Sequence, residues 1–211
     1  VAVSAPAVWR WAPEPPAVPA DLVLRLQRYR DPARAPRPIR EAAVAAALEA
    51  RGLVSPRAVV WRGPVTAVDP SGAVTLAGVH RFHSRLLARV LAASVDAYVI
   101  VLTLGEALEA RVDGLFTDRC PLEGLLLETA GWAEILLLAR CLRRRLRDEE
   151  QPAGGSVTHR VGPGYGDWPV EEQGALLGVF GDVPLPVTLN EAACMLPRKS
   201  ISAVFGVLAA R

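Results

Sequence analysis

Cysteine is scarce in this chain of 211 residues: Cys120, Cys141 and Cys194 are the only three. They are odd in number and form no C-x-x-C pair, which excludes a disulfide framework and a cysteine zinc site. A reducing cytoplasm is the expected compartment. Histidine is as rare, and His80, His83 and His159 are not spaced to ligate a metal together. No metal is therefore expected. An excess of one charge is also missing, with 24 Lys and Arg against 22 Asp and Glu. A net charge of +2 gives no reason to expect nucleic acid or an acidic membrane surface as partner. Long apolar runs are absent too. The richest, Leu125 to Leu138, is interrupted by Glu128 and Glu134, well short of the roughly 18 residues of a membrane span. The first residues lack the basic-then-apolar order of a secretion signal.

What is present suits a globular domain: 51% hydrophobic and 22% charged residues, in proportions that can bury a core. Val1 to Ala20 is rich in Ala, Pro and Val, with Trp9 and Trp11 as its large side chains. It is expected to be a loosely ordered arm, residues 1–20, ahead of a single domain over residues 21–211. Asp21 is expected to cap a short helix to Tyr29, and a Pro-rich link follows. Ile39 to Arg51 should form a second helix, stopped by Gly52. "DPSG", Asp69 to Gly72, lies between alternating β-branched and small residues and marks a hairpin.

Ser84 should cap a helix to about Ala93. The β-branched run "AYVIVLTLG", Ala97 to Gly105, should be a buried strand. A helix over Glu106 to Phe116 comes next. Pro121 suits a first helical turn and opens a long helix reaching Glu150. Val170 to Phe180 is expected to be helical, and a strand is expected near Ile201 to Val207. Helices and strands mix without regular βαβ alternation, which favours an α+β fold with an antiparallel sheet.

Two places hold the candidate chemistry. In the long helix, the neighbours of Glu134 at three and four residues are Ala130, Gly131, Leu137 and Leu138. Its carboxylate thus lies along an apolar face, where a charge needs a partner. A structural ion pair accounts for such a residue as well as a ligand does, and Glu128 is the other acid on that helix. The second place is the run from Gly162 to Trp168, with three glycines, a proline, Tyr165, Asp167 and Trp168. Gly162 and Gly164 allow close backbone approach. Arg160 offers a fork for a carboxylate, and Tyr165 adds a ring and a hydroxyl. A tight turn packed by Trp168 is the plain alternative. The loop lacks the G-K-[ST] ending of a phosphate loop, and no strand leads into it as in a dinucleotide fingerprint. No nucleophile elbow or triad signature occurs. "RCLRRRLRDEE", Arg140 to Glu150, has no interleaved aromatics and is expected to be a solvated helix end.

The segments "RVGPGYGDWPVEEQ" and "LNEAACMLPRKSISAVFGV" together resemble the activation domain of cobalamin-dependent methionine synthase. The short stand-alone relatives of that domain carry an R-x-x-P-G-Y-G-D-W-P-type loop and an M-x-P-x-K-S-x-S segment. "TLGEALEARVDGLF" and "LEGLLLETAGWAEILL" resemble the same group's central strand and long helix. The similarity runs from about Asp21 to Leu208. It implies an α+β fold with a curved antiparallel sheet and long packing helices. It also implies binding of S-adenosylmethionine, and a part in the reductive remethylation of cob(II)alamin within a methyltransferase system of methionine biosynthesis.

By that resemblance Arg160, Gly162, Gly164 and Tyr165 form the ligand loop. Arg160 would hold the methionine carboxylate, and Tyr165 would lie near the corrin and the transferred methyl group as the catalytic position. Glu134 would be the acidic partner of the ligand's ammonium, with Glu128 as the other choice of register. Val161 and Gly162 depart from the Pro-Ala of the large methionine synthases. The corrinoid-binding D-x-H-x-x-G motif is absent. Cobalamin is therefore expected from a partner, either a corrinoid-binding protein or a truncated methionine synthase. A flavodoxin or ferredoxin is expected to supply the electron, and the chain alone is expected to be inert.

Overall fold

The computed structural model describes residues 5–210. The first four residues of the expected arm, with Arg211, lie outside the described residues. The β-branched stretches around the "DPSG" turn form β2 (Arg57–Val68) and β3 (Ala73–Leu76), and the turn closes where Gly72 N–H donates to Asp69 C=O at 2.9 Å. Beyond β3 a four-residue strand, β4 (His80–His83), extends the meander. Ser84 then caps α3 (Arg85–Leu91). The apolar run becomes β5 (Ser94–Thr103), and the C-terminal strand is β9 (Ser200–Leu208). With β6 (Ser156–Val157) they form one antiparallel sheet in the order β4-β3-β2-β5-β9-β6. A separate two-stranded ribbon pairs β7 (Thr188–Leu189) with β8 (Met195–Leu196).

Period-2 alternation sends successive side chains of each strand to opposite faces, and both faces are covered. Val60, Tyr98, Ile100, Leu102, Ala203 and Phe205 face a core shared with α1 (Ala20–Leu26), α2 (Arg37–Leu53), α4 (Ala107–Thr117) and α5 (Pro121–Glu150). Val59, Trp61, Val99, Val101 and Val204 face a second core, which holds α3, Trp168 and α6 (Gln173–Leu177). The architecture is thus a mixed helix and strand fold on an antiparallel sheet, with a 30-residue helix along it.

The N-terminal arm differs from the expectation of a loose segment. β1 (Ala7–Trp11) pairs antiparallel with Arg62 to Ala58 of β2, and Val18 is buried in the helical core. Trp9 and Trp11 pack against the same core. A strand of small and aromatic residues protects an exposed sheet edge, which composition alone does not reveal.

Smaller differences have local causes. The first turn of α1 is preceded by Pro19, and Asp21 lies inside the helix rather than capping it. Gly52 does not stop α2, which continues to Leu53. Val170 to Phe180 splits into a 3-10 turn, the short α6 and a second 3-10 turn.

Candidate functional site

The glycine loop leaves the sheet at its β6 edge. Val157 stands opposite Val207, Thr158 N–H donates to Gly206 C=O at 3.0 Å, and Val161 pairs with Val204. Between these pairings His159 and Arg160 stand against Phe205, one residue more than the register of β6 would give. Arg160 is half-buried there and has no ion-pair partner among the described residues.

Beyond Val161 the chain folds tightly on itself. A Cβ at Gly162 would stand 2.9 Å from Ser202 C=O, so only glycine lets the loop lie this close to β9. Gly164 adopts φ +87°, in the left-handed region. Its N–H donates to Trp168 C=O at 2.8 Å, while Tyr165 N–H donates to Gly162 C=O at 3.1 Å. The N–H groups of Gly164 and Tyr165 are thus bonded within the loop. What the loop presents outward is the Tyr165 ring, 56% exposed.

Two further contacts lock the turn. Trp168 is buried edge-on to Phe82, with centroids 5.7 Å apart, and its indole N–H donates to Glu172 at 2.7 Å. Asp167 accepts from Ser84 Oγ at 2.8 Å and from the N–H groups of Arg85 and Leu86 at 2.7 and 3.1 Å. These hydrogen bonds, led by that from Ser84, hold its carboxyl down at about 2. The packed turn foreseen for Trp168 is present, and Asp167 is a structural residue that sequence reading passed over.

Glu134 lies elsewhere. It is fully buried on α5, and neither carboxylate oxygen has a hydrogen-bond partner among the described residues. Burial raises its pKa from 4.5 to about 7, and the Arg51 guanidinium of α2 opposes that rise only partly. No hydrogen bond or ion pair links Glu134 with Arg160 among the described residues. Glu128 is committed to Lys199, a fully buried lysine whose ammonium also lies 4.8 Å from the centre of the Trp132 ring. The structure thus gathers Arg160, Gly162, Gly164 and Tyr165 at one sheet edge, with Glu134 inside the helical layer. Among the described residues no cluster of His, Cys, Asp and Glu can hold a metal. None of the described helices is long and apolar enough to cross a membrane.

No protein-family model matches the chain, and no curated protein matches it in sequence. Its fold, however, is similar to the crystal structure of the MetH reactivation domain bound to AdoHcy. The TM-score is 0.64 at 13% sequence identity, over 95% of this chain and 78% of that one. Identity this low shows likeness of fold alone.

Proposed function

We propose that the chain is a reactivation module that binds S-adenosylmethionine and supports reductive remethylation of cob(II)alamin in a methionine synthase or related corrinoid methyltransferase. The observation that carries this reading is Arg160: a half-buried arginine at the sheet edge, without a carboxylate partner among the described residues, in the same loop as an exposed tyrosine. An arginine fork so placed suits a ligand carboxylate. The fold neighbour, solved with AdoHcy, supports a ligand of that class. The curved form of the family's sheet enters with the same proposal.

In this reading Arg160 binds the methionine carboxylate, Gly162 lets the loop lie against β9, and Gly164 shapes the turn. Tyr165 lies towards the corrin and the methyl group. Glu134, the acid the resemblance pairs with the ligand's ammonium, is fully buried in the helical layer, and Glu128 is already neutralised by Lys199, so neither acid is placed beside the Arg160 loop. Cobalamin comes from a separate corrinoid protein or a truncated methionine synthase, and the electron from a flavodoxin or ferredoxin. Calorimetric titration of the purified chain with S-adenosylmethionine and with AdoHcy tests the reading. Saturable binding of one equivalent supports it, and absence of binding by a folded chain rejects it.

One observation favours a second reading, a module that docks on a corrinoid protein without S-adenosylmethionine: the N–H groups of Gly164 and Tyr165 are already bonded within the loop. Complex formation with a corrinoid protein, combined with no binding of S-adenosylmethionine, would select it.

A further inference from the structure

Where β2 begins and β5 ends, four stretches of chain surround a cleft of about 570 Å³. Arg57, the first residue of β2, pairs across the sheet with Thr103, the last of β5. Gly105, Glu106 and Glu109 supply the side leading into α4. Leu185 to Thr188 form one wall, and Leu196 with Pro197 form the other. None of Glu134, Arg160, Gly162, Gly164 or Tyr165 lines it. Its size falls in the range of small-molecule sites, about 300–1,000 Å³.

The floor and back of the cleft are fixed by internal bonds. Thr103 is 1% exposed, and its hydroxyl accepts from Gly105 N–H at 3.2 Å and lies 2.8 Å from Ser200 Oγ. Glu109 is committed as well: Oε1 accepts from Lys199 N–H at 2.6 Å, and Oε2 lies 3.4 Å from Arg198 Nε. Arg57 and Glu106 remain, exposed at the rim and without an ion pair among the described residues. Arg57 can pair with an anion and Glu106 with a cation, so a ligand carrying both signs meets a partner for each at one rim, while Leu185, Val187, Leu196 and Pro197 supply an apolar wall beside them.

We propose that this cleft binds an apolar α-amino acid as its zwitterion. Arg57 holds the α-carboxylate, Glu106 holds the α-ammonium, and the apolar side chain lies against Leu185, Val187 and Leu196. The proposal stands on the cleft alone and is independent of the S-adenosylmethionine reading.

The test is titration of the ¹⁵N-labelled chain with L-leucine and L-methionine, followed by NMR. Saturable shifts are expected at the amides of Gly105 and Thr188. Arg57→Ala and Glu106→Gln, both at exposed positions, should each weaken binding about tenfold. Acetate and isobutylamine, each with one charge, should bind weaker by a similar factor. No saturable shift with either amino acid, or unchanged affinity in either variant, overturns the proposal. Loss of binding in Arg160→Ala with retention in Arg57→Ala places the amino acid at the glycine loop and overturns it too.

Discussion

Ser84 and Asp167, 83 residues apart in the chain, close the first turn of α3 from two sides: Ser84 Oγ accepts from Leu87 N–H at 3.1 Å and donates to Asp167 Oδ1 at 2.8 Å. Asp167 adds acceptors for the next two N–H groups of that turn. A helix of seven residues thus depends on a loop far away in sequence, and the loop depends on it. Ser84→Ala removes the cap and should cost about 1 kcal/mol, measured by urea unfolding.

The same pair sets an acid dependence. The Asp167 carboxyl is lowered from 3.8 to about 2 by its hydrogen bonds. A depressed carboxylate contributes stability that is complete above the unfolded value and is lost as pH falls through the folded one. The melting temperature of the native chain should therefore drop between pH 4 and pH 2. Asp167→Asn should melt lower at neutral pH and show a shallower drop over that interval. Parallel acid curves for the two proteins would refute the assignment.

Glu134 has the opposite sign. Burial raises its folded value from 4.5 to about 7, so the folded state holds its proton more firmly than the unfolded chain does. Its contribution is complete below 4.5 and is lost as pH rises through 7. The shift corresponds to at most about 3–4 kcal/mol. Glu134→Gln should be more stable than the native chain at pH 8, and the two should converge at pH 4. Unfolding curves at those two values give the comparison.

Much of the fold was legible because it follows from local chemistry. Pro121 to Glu150 has a proline at its first turn and a continuous helical run, and it forms one helix with those bounds. The turn over Asp69–Gly72 and the cap at Ser84 depend on a few adjacent residues, as does the buried strand ahead of Gly105. β1 was hidden because Ala, Pro and Val say nothing of an edge left open 50 residues later. β4 is four residues with only Phe82 buried, too short for alternation to stand out. Of the site, the burial of Glu134 followed from its neighbours at three and four residues. The place of Arg160 at the sheet edge depends on the pairing of Val157 and Val161 with β9. The Arg57 cleft draws on four distant stretches, so no local pattern marks either of them.

Lys199 supplies a test of the packing between α5 and the start of β9. Its ammonium is buried against Glu128 and the Trp132 ring. Glu128→Leu leaves that charge without a counter-ion and should cost about 3 kcal/mol. Adding Lys199→Met removes the stranded charge and should restore most of the loss. Additive losses in the double variant would show that the pair carries no coupling.

The arm offers another. Removing residues 1–18 deletes β1, both tryptophans at its core contact and Val18. Burial of Val18 alone contributes about 2 kcal/mol, and the deletion bares the Ala58–Arg62 edge of β2. The truncated chain should unfold at lower urea and aggregate more readily. A fully soluble truncation of native stability would restore the picture of a dispensable arm.

Arg160 gives the sharpest test of the proposed function, because its loss should separate ligand binding from folding. A structural arginine would have a carboxylate partner, and removing one side of a buried pair costs about 3–5 kcal/mol. Arg160 has no such partner among the described residues, so Arg160→Ala should keep the native melting temperature to within a few degrees. Its binding of S-adenosylmethionine should fall by roughly ten- to a hundredfold, the worth of one charge-assisted contact of about 1.5–3 kcal/mol. Arg144→Ala, on the exposed end of α5, is the control and should bind as the native chain does. Tyr165→Phe should bind nearly as well, since the ring remains. Equal binding by Arg160→Ala and Arg144→Ala removes Arg160 from the ligand site, and unfolding of Arg160→Ala alone makes it a structural residue instead.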